Sequence, residues 1–442
     1  MGLLEKKLSS AQIIILGFAA VILLGSFLLM LPISTQDGQG STFTDALFTA
    51  TSAVCVTGLV VQDTATYWTT FGQVVVISLI QIGGMGVVTV AVAVALVSGK
   101  KISLKQRSTM QEAISAPKVG GIVRLTVFIL KMTFIFEALG ALIMAPSFIR
   151  EFGIAKGIWY GVFHSISAFC NAGFDLMGIR QQYSSLTSFV GDPFVNFAIM
   201  ALIVIGGIGF MTWDDIKTNG LKWKRYRMQS KVILTTTALL ILIPAAYFFF
   251  FEFSDAPLNE RIWSSFFQSV TPRTAGFNTV DLTTISETGC MIMIALMLIG
   301  GSPGSTAGGM KTTTFAVMLS NAVSVFRRRE HTHFFGRRIS SDTLRNAATI
   351  FTMYVTLCLV GGCAISYMEN LPLVTCLYET ASAVGTVGLT LGITPELGLP
   401  SQYILIFLMY VGRVGGLTLI FAALTGGRDV SVRLPQEKLT VG

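Results

Sequence analysis

Four short stretches of the chain contain an aligned glycine and share a residue pattern that suits the binding of a bare cation. Their sequences are TSAVCVTGL (51–59), ISAFCNAGF (166–174), SVTPRTAGF (269–277) and ASAVGTVGL (381–389). A dehydrated cation needs several oxygens at close range, and backbone carbonyls supply them without burying a counter-charge. The aligned glycines permit a backbone in which successive carbonyls turn the same way, and they leave the axis open. These glycines are Gly58, Gly173, Gly276 and Gly388.

The charge of these stretches favours a monovalent cation. None contains Asp or Glu, whereas a carboxylate ring is a common device for selecting cations of higher charge. Each follows an apolar segment of roughly a dozen residues, too short to span a bilayer. A helix of that length would aim the negative end of its dipole at the glycine stretch. We therefore expect four half-helices, each leading into one quarter of a selectivity filter.

Cysteine and histidine offer no competing chemistry. The six cysteines have no C-x-x-C spacing, and the three histidines are a basic-loop pair and a single residue. The sequence therefore predicts neither a disulfide framework nor a zinc site. Cys55 and Cys170 are equivalent in the alignment and are expected to pack behind the filter, because a thiol is a poor ligand for a hard cation.

The elements that position these stretches must lie in a membrane. Of 442 residues, 52% are hydrophobic and 12% charged, and the mean hydropathy is +0.70. Long apolar helices are predicted before the half-helices, at 11–32, 121–147, 231–253 and 345–367. Second long helices are predicted after the filter stretches, at 71–98, 189–213, 285–325 and 402–425. This gives an all-α polytopic membrane protein with eight spanning helices and four re-entrant half-helices around one pore.

The helices group into four repeats of one design. The predicted repeats are 1–98, 99–220, 221–340 with an intramembrane loop at 300–315, and 341–442 with a cytoplasmic tail. Most Lys and Arg residues fall in the first ten residues, 99–120, 215–231, 326–345 and the tail. Basic residues concentrate in short cytoplasmic loops, so both termini are expected on the inside.

A second glycine pattern follows each filter stretch: IGGMG (82–86), IGGIG (205–209), IGGSPG (299–304) and VGRVGG (411–416). Two interpretations are equally supported, close helix packing and a direct lining of the pore. The glycines concerned are Gly83, Gly84, Gly206, Gly207, Gly300, Gly301 and Gly412.

The third repeat departs from the others at GGSPGSTAGGMKTTTF (300–315). A nucleotide-binding loop is excluded because Met310 separates Gly309 from Lys311 and no strand precedes the run. Two alternatives are a kinked helix and an unwound gating loop across the pore. In the second, small residues swing aside and two positive charges, Lys311 and Arg413, impede cations. The predicted gate residues are Gly304, Ser305, Thr306, Gly308, Gly309, Lys311 and Arg413.

The four glycine stretches and the interrupted third repeat resemble the Trk, Ktr and HKT superfamily of potassium transporters over nearly the whole chain. Within this superfamily the chain is most similar to the membrane subunits of bacterial Ktr systems, because it is short and lacks the extra N-terminal spans of Trk-type subunits. The resemblance implies one filter glycine per repeat. Sodium-selective plant relatives carry serine at the first of these positions, so Gly58 implies potassium. It also implies a homodimer in the cell membrane, above a cytosolic KtrA-like ring of regulatory subunits that bind ATP and ADP.

The predicted potassium-binding filter comprises the residues at and just before each glycine. They are Val54, Cys55, Val56, Thr57, Gly58, Phe169, Cys170, Asn171, Ala172, Gly173, Pro272, Arg273, Thr274, Ala275, Gly276, Val384, Gly385, Thr386, Val387 and Gly388.

A secondary transporter for a small organic solute is the main alternative. Such proteins usually contain inverted repeats, whereas the basic loops here give four repeats of parallel orientation. No nucleophile and base converge in the sequence, so an enzyme is not predicted. The sequence does not decide whether flux is passive or coupled to sodium, and the resemblance is compatible with activation by sodium.

Overall fold

A computed structural model describes residues 9–98, 102–114, 121–416 and 418. The described chain is mainly helical, and its one sheet is a hairpin of two-residue strands, β1 (His333–Phe334) and β2 (Arg337–Arg338). The helices are α1 (Ser10–Leu29), α2 (Phe43–Cys55), α3 (Thr70–Met85), α4 (Val87–Val97), α5 (Leu104–Ala113), α6 (Ile122–Phe152), α7 (Ile154–Phe169), α8 (Pro193–Gly207), α9 (Phe210–Asn219), α10 (Met228–Tyr247), α11 (Leu258–Val270), α12 (Glu287–Leu298), α13 (Thr312–Phe326), α14 (Ser341–Glu369), α15 (Leu373–Gly385) and α16 (Leu399–Val414).

Four helices are long and apolar enough to cross a membrane: α1, α6, α14, and α10 with the π-helical turn that extends it to Glu252. Their most apolar windows have mean hydropathies of 1.9 to 2.5, and only about a third of each is buried in the protein. Apolar side chains such as Leu24 and Phe250 are therefore left for lipid. These helices occupy the predicted first position of each repeat, and the helical fold class is confirmed.

The short helices α2, α7, α11 and α15 have 13, 16, 13 and 13 residues and lie in the middle of the molecule. Most of their Ser and Thr residues are buried, along with large apolar side chains such as Phe48, Phe163 and Tyr378. Helices this short leave polar backbone groups at their ends. In a membrane such ends are stable only inside protein or beside a water-filled cavity, which explains why these four helices are enclosed.

The second long helices differ from the prediction because glycines break them. The segment predicted at 71–98 is split into α3 and α4, which meet at 96° at Gly86, where φ is 85°. The segment predicted at 189–213 is split into α8 and α9, also at 96°, at Gly209, where φ is 89°. Non-glycine residues rarely adopt these angles. The described chain contains four spans, or up to six if each bent pair is one, so eight spans stay a prediction.

The third and fourth second helices are shorter than expected. α12 ends at Leu298 and α13 begins at Thr312, so the non-helical segment covers 299–311 rather than 300–315. We call residues 299–311 the intramembrane loop. α16 ends at Val414, before Gly415 with φ of 89°. Most of the predicted span 402–425 beyond that point, and the whole cytoplasmic tail, lie outside the described residues. The division into four repeats stays a prediction.

Candidate functional site

The four aligned glycines form a closed ring, which we call the glycine ring. A β carbon placed on Gly58 would lie 3.1 Å from the α carbon of Gly173, and one on Gly173 would lie 2.8 Å from that of Gly276. The same construction gives 3.2 Å from Gly276 to Gly388 and 2.9 Å from Gly388 to Gly58. All four residues have positive φ, between 70° and 97°. A side chain at any of these positions would push the neighbouring backbone aside, so the observed spacing of the ring depends on glycine.

Each ring glycine faces the carbonyl oxygen that precedes the next glycine. The β carbon on Gly173 would lie 2.7 Å from the Ala275 oxygen, and β carbons on the other three would overlap the oxygens of Ala172, Val387 and Thr57. Among the described residues no protein group donates a hydrogen bond to these four carbonyls. Buried carbonyls are nearly always paired, so four unpaired carbonyls around one axis are suited to a dehydrated cation.

A second strained position lies two residues before each glycine. Val56, Asn171, Thr274 and Thr386 all have left-handed φ, of 58°, 61°, 69° and 52°. A β-branched residue in this region is an outlier, and such strain persists only where the surrounding structure imposes it. Sequence reasoning missed this feature because only Asn171 is a residue type that adopts the conformation readily.

Hydrogen bonds behind the ring hold several N–H groups of the filter stretches away from the axis. The amides of Gly58 and Gly388 donate to the hydroxyls of Ser52 and Ser382, each at 3.0 Å. The amide of Ala172 donates to the Ser167 carbonyl at 2.8 Å. With the amides turned outward, the carbonyls are left to face the ring.

The structure buries all twenty predicted filter residues, and their side chains pack behind the ring. Cys55 and Cys170 are buried free thiols. Arg273 is also buried, and its Nη2 donates to the Thr237 hydroxyl of α10 at 3.3 Å. Its side chain therefore reaches the preceding long helix, and the ring contains no charged side chain of its own.

An outer cavity of about 190 Å³ opens above the ring and is lined by its four glycines together with Asp63, Asp175 and Asp281. Burial raises the pKa of Asp175 to about 7, and the nearby Asp63 carboxylate adds to the rise, while a hydrogen bond from the Met177 amide opposes it. The sequence analysis missed these acids. A signal was present, because Asp63 and Asp281 each stand five residues after a ring glycine.

The intramembrane loop lies directly beneath the ring. The Thr306 hydroxyl donates to the Phe169 carbonyl at 3.0 Å and to Asn171 Oδ1 at 2.9 Å. A β carbon on Gly309 would lie 2.7 Å from the Gly385 carbonyl oxygen. The loop thus contacts the base of the second and fourth filter stretches, and four of its predicted gate residues, Ser305, Thr306, Gly308 and Gly309, lie between α8 and α16 on the ring's inner side.

Arg413 ties this loop to the first repeat. Its Nη1 donates to the Thr306 carbonyl, and its Nη2 donates to the carbonyls of Gly83 and, at 3.2 Å, Gly84. Lys311 is held within the loop, because its Nζ donates to the carbonyls of Ala307 at 2.8 Å and Gly308 at 3.2 Å. Both side chains therefore bind carbonyls of the loop and also border the inner cavity of about 500 Å³.

Gly304 joins the loop to α5 and α9. Its carbonyl accepts from the Phe210 amide at 2.7 Å, and a β carbon at this residue would lie 2.5 Å from the Ile114 carbonyl at the end of α5. The end of α5 therefore contacts the loop directly.

The second glycine pattern is explained largely by packing. β carbons on Gly83, Gly206 and Gly412 would overlap the carbonyl oxygens of Val54, Phe169 and Val384. Each of these carbonyls stands four residues before a ring glycine. These glycines let each second helix approach the base of its own filter stretch. Gly84 and Gly412 also border the inner cavity.

Two basic segments meet on a surface beyond the inner cavity. The ring centroid of Phe335 in the hairpin lies 6.5 Å from that of Trp223. Lys231 Nζ lies 5.9 Å from the Phe335 ring centroid. We call this the basic surface. Its exposed cations include Lys222, Arg327, Arg328, Arg337 and Arg338.

Proteins that are similar to this chain in sequence or in fold are described as cation or potassium transport proteins. The chain matches the TrkH family, described as a cation transport protein, over residues 8–434. It is 39% identical over 449 residues to the potassium/sodium uptake protein NtpJ of Enterococcus hirae, covering 99% of this chain and 98% of the relative. It is 38% identical over 442 residues to the Ktr system potassium uptake protein B of Bacillus subtilis, covering 99% and 97%. The crystal structure of the potassium transporter TrkH from Vibrio parahaemolyticus superposes with a TM-score of 0.75 at 19% identity, covering 95% of this chain and 86% of the other, so the two share a fold.

Proposed function

Because the chain belongs to the TrkH family of cation transport proteins, we propose that it takes up potassium through the glycine ring. The observation that carries this proposal is the set of four unpaired carbonyls of Thr57, Ala172, Ala275 and Val387 around one axis. They replace part of the ion's water shell, and the four short helices direct their negative ends at it. The chain is a multi-pass membrane protein, and its relatives are named as uptake proteins rather than enzymes.

Potassium is favoured over sodium by the glycine at all four ring positions. One relative is named as a potassium/sodium uptake protein, so the degree of selectivity is to be measured. The acids of the outer cavity raise the local cation concentration. The four filter stretches named above serve as the potassium-binding residues in this proposal.

The intramembrane loop is proposed to be the gate. It lies under the ring, it is rich in small residues, and Arg413 holds it by a hydrogen bond to the Thr306 carbonyl. Loss of that hydrogen bond would free the loop to move toward the inner cavity.

A regulatory partner is proposed to act through the basic surface. The name of the Ktr relative refers to a system, and the exposed arginines with Trp223 and Phe335 offer the residue types that anchor protein interfaces. In this proposal the membrane protein is a homodimer, both termini are cytoplasmic, and a KtrA-like ring binds ATP or ADP. The regulatory ring would pull on α13, which follows the intramembrane loop directly, so that nucleotide exchange is transmitted to the gate.

The test is rubidium uptake by purified protein in proteoliposomes, with potassium, sodium or an organic cation as competitor. Potassium should compete at the lowest concentration, and added sodium at fixed membrane potential reports any activation. Uptake of organic solutes without rubidium flux would instead favour a secondary transporter. Empty liposomes and a variant with Gly191→Ala, a glycine of ordinary φ with open space around it, are the controls.

A further inference from the structure

Two buried side chains with ionisable groups stand at the same position in opposite quarters of the glycine ring. Glu379 in α15 and His164 in α7 each precede their ring glycine by nine residues. Gly388 neighbours Gly58 and Gly276 in the ring, so Gly173 is diagonal to it. Neither side chain is exposed to solvent.

Glu379 holds the chain that leaves the filter in the fourth repeat. One carboxylate oxygen accepts from the Thr390 hydroxyl at 2.8 Å, and the other accepts from the Thr394 hydroxyl. The Thr394 hydroxyl also lies 3.0 Å from that of Thr390, which in turn accepts from the Gly392 amide at 3.0 Å. Among the described residues no Lys, Arg or His pairs with this carboxylate, so hydroxyl and backbone groups alone satisfy the cluster.

His164 does the same for the second repeat with different chemistry. Its Nδ1 lies 2.7 Å from the Tyr160 carbonyl, and the Leu176 amide donates to its Nε2 at 3.3 Å. These partners define a neutral imidazole with the proton on Nδ1. The segment three residues beyond Gly173 is thereby fixed to the half-helix.

The other two quarters lack this link. The equivalent residues are Thr49, whose buried hydroxyl has no hydrogen-bond partner, and Phe267. The equivalent position therefore joins half-helix to outer segment in one diagonal pair of quarters only.

We propose that Glu379 is a positioning residue for ion selectivity. Through Thr390, which lines the outer cavity, it fixes the segment that follows Gly388 and so limits movement of the Val387 carbonyl in the ring. A buried carboxyl group without hydrogen-bond partners is costly. The carboxylate therefore resists any displacement of Thr390 and Thr394. This inference rests on the proposed potassium function.

The experiment compares rubidium uptake and its inhibition by sodium in four variants. Thr394→Val keeps the side-chain shape but removes the donor, and Thr394→Ser keeps the donor. Glu379→Gln keeps the size but removes the charge. Thr49→Val alters the equivalent residue of the first repeat, whose hydroxyl makes no bond. Size-exclusion elution of each detergent-solubilised variant reports folding.

In Thr394→Val and Glu379→Gln we expect sodium to inhibit rubidium uptake at concentrations lower by roughly threefold or more. A change of that size corresponds to part of the free energy of one hydrogen bond. Thr394→Ser and Thr49→Val should retain the parent's ratio. Folded Thr394→Val with the parent's ratio would overturn the inference alone, as would an equal change in Thr49→Val. A parent protein that carries no rubidium would overturn the potassium function as well.

Discussion

The guanidinium of Arg413 donates to the carbonyl of Thr306, and this contact joins the end of α16 to the middle of the intramembrane loop. The same group reaches the Gly84 carbonyl at 3.2 Å. One side chain therefore links three repeats on the inner side of the ring. A planar fork of donors suits this task, because it satisfies several fixed carbonyls at once.

Replacing Arg413 should open the pathway. Arg413→Met removes every hydrogen bond to the loop while keeping an unbranched side chain, so rubidium uptake should rise about threefold or more, in line with the loss of charge-assisted bonds. Arg413→Lys keeps the charge but not the fork and should give a smaller rise. Uptake by the lysine variant equal to the parent's would show that charge, rather than the tether, restrains flux.

Deleting residues 305–311 should also raise flux, because the deleted segment lies under the ring and supplies none of its carbonyls. Rubidium uptake is measured beside sodium competition. Selectivity should be retained, since the ring is intact. A monodisperse deletion variant that conducts no more than the parent would place the gate elsewhere.

Serine at a ring glycine should weaken discrimination of potassium over sodium. Gly58→Ser and Gly276→Ser introduce a side chain where φ is 94° and 78° and where the β carbon would overlap a neighbouring carbonyl. The ring must distort to admit it. The ratio of potassium to sodium permeability should fall in both variants and remain unchanged in Gly191→Ala. Unaltered ratios in folded ring variants would contradict the filter assignment.

Removing four arginines from the basic surface should uncouple the proposed regulatory partner. Alanine at Arg327, Arg328, Arg337 and Arg338 should reduce co-purification of the nucleotide-binding subunit and remove nucleotide dependence of flux. The control replaces Arg150 and Lys156, which are exposed near α7, with alanine. Retention of both properties by the fourfold variant would refute the docking site while leaving the pore assignment intact.

Uptake should depend on external pH through Asp175. Its pKa of about 7 means that the carboxyl is ionised above that pH and neutral below it. The outer cavity therefore loses negative charge as the pH falls from 8 to 6, and rubidium uptake at low concentration should fall by about twofold. Asp175→Asn should flatten this profile, whereas Asp37→Asn, on an exposed outer loop, should not. A profile unchanged by Asp175→Asn would assign the dependence to another group.

The recurrence of one glycine pattern four times in the sequence was enough to predict that Gly58, Gly173, Gly276 and Gly388 lie together. Unrelated packing roles would not repeat in the same order four times. The family resemblance is confirmed by the matches. Helix breaks at Gly86 and Gly209 were not predicted, since an apolar run has the same composition whether straight or bent. The left-handed Val56 was also beyond sequence reasoning. Its conformation is imposed by tertiary contacts against its own preference.

The single-chain origin of the glycine ring has a consequence for how such a pore can change. In an assembly of four identical subunits, one codon alters all four walls at once, and an intermediate design is never sampled. Here a codon change alters one wall, so a serine or a bulkier neighbour can be tried at Gly58 while the other three positions stay as they are. Mutation can therefore adjust ion preference by changing one of the four walls at a time.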